Sequence, residues 1–148
     1  MTRRGLLATP LAAWERDGLK AALVKAGLPA DDVGDARVLF WRFETTDIPV
    51  GFGGLEIHGS DALLRSLVTL PPLRQIGMGA AMVAVLETEA RALKCRAIYL
   101  LTASDANFFG RLGYAPCARS DVPEAIRASR QFAEFCASTA AAMVKRIG

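Results

Sequence analysis

The segment Arg74-Gln75-Ile76-Gly77-Met78-Gly79 places a cation before two glycines one residue apart, and an apolar-periodic stretch follows it. A strand that leads into a glycine turn and then a helix makes an anion site, because the first helical N–H groups are unpaired and the helix dipole adds positive potential. The glycines let a bulky phosphate approach the backbone, and Arg74 can add a charge-assisted hydrogen bond. The sequence therefore predicts a site for a phosphate-bearing ligand.

Three classes of phosphate ligand use such a turn, and the sequence excludes two of them. A mononucleotide loop of the form G-x-x-x-x-G-K-[ST] needs a lysine, and none lies near Gly79. A dinucleotide turn needs a third small residue where Met82 stands, and it needs a βαβ unit where the preceding segments indicate antiparallel hairpins. The pyrophosphate of coenzyme A is the class that remains.

The elements that must position this turn follow from hydrophobic periodicity. Strands are predicted at "ARVLFWRFE", "IPVGFGGLEIHG" and "ALLRSLVTL", and the last ends at Pro71 because proline cannot donate to a ladder. The helix after the glycines has Met82, Leu86, Ala90 and Leu93 on one face and Glu87, Arg91 and Lys94 outside. We expect Thr9 and Pro10 to begin an N-terminal helix.

The second half of the chain alternates helical and strand patterns. A buried strand is predicted at "RAIYLLT", short helices at "DANFFGRLG" and "VPEAIRASRQFAEFC", and a strand rather than a helix at "AAMVKRI". No break in composition indicates a second domain. The expectation is one domain, residues 1–148, of the α/β (α+β) class with a mostly antiparallel first half.

Composition excludes several classes of function. A formal net charge of +3 is too small to indicate a nucleic-acid partner, and no apolar run approaches the length of about 18 residues needed for a membrane span. Cys95, Cys117 and Cys136 are odd in number and far apart, so we expect neither disulfides nor a metal site. Reduced thiols favour a cytoplasmic protein.

Two motifs resemble those of a known family. Arg74–Gly79 matches the R/Q-x-x-G-x-G/A signature of the GNAT acetyltransferase superfamily, directly after the strand "SLVTLPP". Further on, "FFGRLGYAP" resembles the family's A-x-x-[YF]-x-x-x-G-[FY] motif through Ala106, Phe109, Gly113 and Tyr114. The resemblance covers roughly residues 35–118. It implies a GNAT fold, in which a twisted, mixed but mostly antiparallel sheet flanked by helices is splayed at an acetyl-CoA cleft.

A narrower likeness concerns three segments, "GLEIHGSDALLRSL", "YLLTASDANFFGRLGY" and "QFAEFCASTAAAMVKR". They resemble the bacterial GNAT branch named for arsenic-resistance operons, which is often grouped with acetyltransferases acting on small amino-acid-like toxins. The resemblance implies transfer of an acetyl group from acetyl-CoA to the amine of a small, amino-acid-like substrate. A homodimer is a separate expectation. A peptide N-acetyltransferase and a non-catalytic acyl-CoA-binding module are the alternatives.

The resemblance also assigns residues to the cofactor. The strand Leu67–Thr69 would pair with the pantetheine arm, the N–H of Val68 would polarise the thioester carbonyl, and Arg74–Ala80 would cradle the pyrophosphate. Thr102 stands where many relatives carry a cofactor-binding asparagine. The full set is Leu67, Val68, Thr69, Arg74, Gln75, Ile76, Gly77, Met78, Gly79, Ala80, Thr102 and Phe109.

Two positions depart from the family pattern. Gln75 replaces the usual glycine after the arginine, and Phe109 replaces the tyrosine that protonates the leaving thiolate in many relatives. Activity need not be lost, because a thiol with a pKa of about 8.5 is a fair leaving group. Solvent, Ser104 or Tyr114 would then deliver the proton.

The acceptor amine must lose a proton before it attacks, so a base is expected. Glu56 is the first candidate, because the resemblance puts its strand beside the acetyl site. His58 is the only histidine, and on a regular strand it shares a face with Glu56, where it would contact the substrate or take a proton near pH 7. Arg65 would bind a substrate carboxylate bidentately. Their structural alternatives are an outward carboxylate, a solvated turn histidine and an edge ion pair.

Overall fold

The computed structural model of the chain describes residues 2–3, 6–27, 38–46, 48–70, 78–129 and 140–148. Within these residues eight strands form a single sheet: β1 (Thr2–Arg3), β2 (Leu6–Pro10), β3 (Val38–Thr45), β4 (Ile48–His58), β5 (Asp61–Thr69), β6 (Ala97–Thr102), β7 (Ala115–Cys117) and β8 (Ala141–Arg146). Their order in the sheet is β1-β2-β3-β4-β5-β6-β8-β7. All neighbours are antiparallel except β5 and β6. The mixed, mostly antiparallel sheet expected from the sequence is confirmed.

The hairpin of β4 and β5 carries most of the candidate chemistry. Gly59 and Ser60 connect the strands, and pairing begins at His58 and Asp61. Gly59 has a φ of +65°, a conformation that glycine adopts without the clash a Cβ would cause. The turn fixes the register of the hairpin, and therefore which β5 residue faces each β4 side chain.

Helices cover both faces of the sheet: α1 (Arg16–Lys25), α2 (Met78–Ala92), α3 (Ala106–Arg111) and α4 (Glu124–Arg127). On one face, Met82 and Leu86 of α2 join a core cluster with Phe43, Leu55 and Ile98. Other clusters bury α1 against β3 and β5, and α4 against β5 and β6. No helix in the described parts of the chain has the length and hydrophobicity to cross a bilayer.

The start of the chain differs from the sequence prediction. Thr9 and Pro10 end strand β2, which pairs with Trp41–Thr45 of β3, and α1 begins only at Arg16 after a short 3-10 turn. The predicted helix start was therefore wrong. Proline lacks an N–H and so suits the end of a strand as well as the first turn of a helix. Pairing with β3 decides between the two.

The end of the chain confirms one prediction. The segment predicted as a final strand is β8, which pairs with β6 on one side and with β7 on the other. Within the described residues the helix predicted from Val122 onward is the four-residue α4. The remainder of that predicted helix, with Cys136, falls largely outside the described residues.

Candidate functional site

A cleft opens where β5 and β6 separate. The two strands pair in parallel only from Asp61 and Ala97 to Leu63 and Tyr99. Beyond that point they enclose a cavity of about 520 Å³, lined by the second half of β5, the end of β6 and the Phe108 and Phe109 rings of α3. In the described pairings no strand bonds to the cleft side of β5 beyond Leu63. An extended ligand can therefore lie along this edge as an added strand would.

A bulge on β5 faces this cleft. Arg65 pairs with Gly54, but the next residue in register with β4 is Val68, opposite Phe52. Ser66 and Leu67 thus share the place opposite a single β4 residue, and Ser66 has a φ of +58°. Such a bulge bends the strand and leaves one residue out of the ladder. The bend contributes to the divergence of β5 from β6.

Glycines of β4 permit this geometry. A Cβ on Gly51 would clash with the carbonyl oxygen of Val68, and one on Gly54 would lie 2.8 Å from the Phe40 ring. A Cβ on Gly53 would lie 2.8 Å from Leu86 of α2. Close packing thus requires glycine at Gly51 and Gly54, whereas at Gly53 the contact is with the end of the flexible Leu86 side chain. These glycines were not among the predicted site residues.

The register also decides which backbone N–H groups face the cleft. The N–H of Leu70 donates to the carbonyl of Val50 at 2.7 Å, and Val68 lies two residues earlier, opposite Phe52. Because backbone direction alternates along a strand, the N–H and C=O of Val68 also face β4. The register therefore favours the bulge residue Leu67 over Val68 as the donor into the cleft.

Three ionisable side chains, those of Glu56, His58 and Arg65, form a buried cluster on β4 and β5. One carboxylate oxygen of Glu56 lies 2.6 Å from Nε2 of His58, and the other accepts a hydrogen bond of 3.3 Å from Arg65. The side chains of Glu56, His58 and Arg65 are 4%, 6% and 0% exposed. The shared face of Glu56 and His58 predicted from the strand period is confirmed. An outward carboxylate and a solvated histidine are not what the structure shows.

The predicted cofactor residues that the structure describes fall into two groups. Leu67, Val68, Thr69, Thr102 and Phe109 line the cleft, and Met78, Gly79 and Ala80 form the first turn of α2. A Cβ on Gly79 would lie 3.2 Å from the Phe108 ring and 3.8 Å from the Thr69 hydroxyl, so this glycine borders the cleft. Arg74, Gln75, Ile76 and Gly77 lie outside the described residues.

Two observations indicate that the arm of coenzyme A fits this cleft. The open edge of β5 offers backbone groups to an extended chain, and the first turn of α2 offers close backbone approach at Gly79. Thr102 adds a polar group, because its Oγ1 accepts the Asp105 N–H at 2.9 Å and its own hydroxyl proton can be donated into the cleft. The cofactor predicted from the sequence is thus compatible with the site.

A second polar network lies at the C-terminal end of α3. The Tyr114 hydroxyl donates to Glu87 at 3.0 Å, and Lys145 contacts the same carboxylate at 3.0 and 3.1 Å. Lys145 also donates to the Leu112 carbonyl at 2.8 Å. Glu87 is therefore buried, and its predicted place on the outer face of the helix was wrong. The Tyr114 hydroxyl is directed at Glu87, whereas Ser104 lines the cleft, which favours Ser104 between the two proton donors considered.

Replacing Tyr114 with phenylalanine is expected to reduce the loss of stability at alkaline pH. Burial, and then the Glu87 carboxylate, raise the pKa of Tyr114 above its usual range. An unfolded tyrosine ionises near pH 10, so stability is full below that pH and falls as the pH rises further, by up to about 1.4 kcal/mol per pH unit. The variant removes this contribution but loses a hydrogen bond of about 1 kcal/mol at pH 7.

Urea unfolding between pH 8 and 11 measures this effect. Tyr99→Phe is the comparison variant, because Tyr99 is the only other tyrosine. Burial also raises the pKa of Tyr99, so this variant should remove a separate part of the alkaline slope, and each variant reports one phenol. An alkaline slope unchanged in Tyr114→Phe would contradict the prediction.

The sequence of the chain matches a known protein family. Residues 7–114, more than half of the chain, match the acetyltransferase (GNAT) family. A search of curated protein sequences finds no match to the chain.

Solved structures share the fold. N-acetylglutamate synthase from Neisseria gonorrhoeae, complexed with coenzyme A and L-arginine, superposes with a TM-score of 0.77 at 14% identity over 98% of this chain and 34% of that one. A Mycobacterium tuberculosis protein in complex with coenzyme A superposes with a TM-score of 0.75 at 18% identity, over 96% of this chain and 99% of that one. The ribosomal-protein-S18-alanine N-acetyltransferase from Escherichia coli superposes with a TM-score of 0.73 at 15% identity, over 97% of this chain and 94% of that one.

The chain spans about a third of the length of the Neisseria synthase, and at these identities the likeness establishes the fold alone. The family match rests on residues that include β5, the first turn of α2 and the "FFGRLGY" segment of α3. Members of this family are N-acetyltransferases that use acetyl-CoA. On its sequence match and on the splayed sheet, the chain belongs to the acetyltransferase (GNAT) family.

Proposed function

We propose that the protein transfers the acetyl group of acetyl-CoA to the amine of a small, amino-acid-like acceptor. The observation that carries this proposal is the buried Glu56 carboxylate on β4, beside the strand that borders the cleft. The sequence likeness to the arsenic-resistance branch supports the small acceptor. A cytoplasmic homodimer belongs to the same proposal: free thiols at Cys95 and Cys117 support the compartment, and sedimentation equilibrium tests the assembly.

On the donor side, this chain supplies backbone groups. Acetyl-CoA, when bound, supplies the activated acetyl thioester. We assign the carbonyl-polarising N–H to Leu67 in the bulge, because Val68 faces β4. Thr69 continues the open edge of β5 toward Gly79, where the first turn of α2 meets the cofactor phosphates.

On the acceptor side, Glu56 removes the proton. An alkyl amine has a pKa of about 10, so most of it is protonated at pH 7 and cannot attack. The Glu56 side chain is 4% exposed and lies outside the cleft lining, so Glu56 accepts the proton through an intervening water. His58 Nε2, 2.6 Å from the carboxylate, can then pass the proton on toward solvent at the end of the hairpin. Phe109 has no hydroxyl, so the leaving thiolate takes its proton from Ser104 or solvent at the exposed rim of the cleft.

A thiol-release screen tests the proposal. Acetyl-CoA is offered with amino acids, polyamines, phosphinic and arsenical amino acids, and peptides, and free thiol is measured. Release with an amino-acid-like amine is the expected result. Release with peptides alone would favour a peptide N-acetyltransferase. Binding of acetyl-CoA without release for any amine would favour the acyl-CoA-binding module.

Acetyl-CoA is expected to raise the melting temperature of the wild-type protein. At about 100 times its Kd, a ligand stabilises the native state by about 2.7 kcal/mol, which for a chain of this size corresponds to roughly 5–10 °C. Gly79→Trp should lose this shift, because the indole would fill the space between Phe108 and Thr69. The control Gly18→Trp lies in open, exposed space on α1 and should keep it. A full shift in Gly79→Trp would show that the cofactor site is misplaced.

A further inference from the structure

Arg65 joins two parts of the site that the mechanism uses separately. It is the last β5 residue in register before the bulge, opposite Gly54, and its side chain has no exposed surface. One guanidinium nitrogen donates to Oε1 of Glu56 at 3.3 Å. Its Nε donates to the Ser66 hydroxyl at 3.1 Å, on the residue whose φ is +58°. One side chain therefore contacts both the base and the bulge.

The residues around Arg65 hold its guanidinium in place. Its central carbon lies 5.8 Å from the centroid of the Phe40 ring, and the Phe40 ring itself lies over Gly54. A cation over an aromatic face is stabilised by the ring quadrupole. Arginine suits this place because its planar fork donates in two fixed directions, which an ammonium on a flexible stem does not do.

We propose that Arg65 is a positioning residue that couples the Glu56 carboxylate to the bulge at Ser66. The coupling keeps the base and the Leu67 N–H at a fixed separation, and it rests on the proposed acetyl-transfer function. Arg65 acts here through Glu56 and Ser66. This role differs from the direct binding of a substrate carboxylate expected from the sequence, which needs an accessible guanidinium.

A double-mutant cycle tests the coupling through kcat. Arg65→Lys keeps a charge near Glu56 but cannot also hold the Ser66 hydroxyl, and Ser66→Ala breaks only that bond. We expect kcat to fall about 10-fold or more in Arg65→Lys, and less in Ser66→Ala, with both KM values within about two-fold of wild type. In the Arg65→Lys background, Ser66→Ala should have little further effect, because the bond is already lost.

Arg91→Lys is the matched control. Arg91 lies on α2 and donates to the Ile147 carbonyl, away from the cleft lining, so the kcat of this variant should stay near that of wild type. Two results would overturn the proposal. One is a multiplicative loss of kcat in the double variant. The other is a raised KM for a carboxylate-bearing acceptor with kcat unchanged, which would make Arg65 a substrate ligand.

An NMR measurement separates this proposal from the proposed function. The Nε–H of Arg65 should exchange slowly with solvent in the wild-type protein and at least several-fold faster in Ser66→Ala, a variant that removes one oxygen and is expected to fold. Equal exchange rates would refute the coupling, whatever the activity. If the wild type transfers acetyl to no amine, the proposed function fails, and slow exchange would support only the contact between Arg65 and Ser66.

Discussion

Replacing Glu56 with glutamine is expected to lower kcat for acetyl transfer about 100-fold or more and to leave the affinity for acetyl-CoA nearly unchanged. Glutamine keeps the shape of the side chain and an acceptor oxygen, but it does not take a proton from the amine. The loss therefore isolates proton removal from packing. Steady-state thiol release gives kcat, and calorimetry gives the affinity for acetyl-CoA.

The pH dependence of this variant sharpens the test. As the pH rises toward the pKa of the amine, about 10, more of the acceptor is already neutral and the defect should shrink. Glu44→Gln is the matched control, since Glu44 pairs with Arg42 on β3, outside the cleft lining. Unchanged activity in Glu56→Gln would leave Glu56 only the role of holding His58 and Arg65 in place.

Gly51→Ala has the largest expected effect on stability, a loss of about 3 kcal/mol or more. The added methyl group would clash with the Val68 carbonyl oxygen, which is backbone and cannot rotate away. Strand β5 must shift, and its Val68–Thr69 edge borders the cleft, so the affinity for acetyl-CoA should fall as well. Urea unfolding and calorimetry measure the two losses.

The same substitution at Gly18 provides the control. Gly18 lies within α1, nothing stands within 4 Å of the position that an alanine methyl group would take there, and alanine favours helix over glycine by about 1 kcal/mol. Gly18→Ala should therefore stabilise the protein and leave acetyl-CoA binding unchanged. A stable Gly51→Ala with normal affinity would mean that β4 and β5 are not packed as closely as the structure has them.

The sequence predicted the parts of the fold that depend on local periodicity. Alternation placed Glu56 and His58 on one face, and the helical stripe placed Met82 and Leu86 in the core, because both patterns repeat within a few residues. The stripe was wrong for Leu93, which lies just beyond the end of α2 and is 41% exposed. The helical pattern wrongly placed Glu87 on the outer face of α2, because the side chains that bury it, Tyr114 and Lys145, come from segments far along the chain.

The bulge could not have been predicted from the residues that form it. Ser66 carries no preference for a positive φ comparable to that of glycine or asparagine, so the local sequence gives no signal. The contact between Arg65 and Glu56 depends on the hairpin register between the turn at Gly59 and the bulge. The glycines opposite the bulge were the available signal, and they become meaningful only once the strands are paired.

The place of β8 between β6 and β7 has a consequence for the order of folding. Strands β1 to β5 pair each with the next along the chain, so they can assemble from sequential local contacts. Strand β6, one wall of the cleft, gains its second neighbour only when residues 141–146 arrive, and among the described strands β7 pairs only with β8. Long-range pairing of this kind is slow, because the loop entropy is lost before the contacts form. During synthesis the β1–β5 half is therefore expected to form first. The opposite wall of the cleft, β6, is expected to be paired on both sides only after β8 has docked.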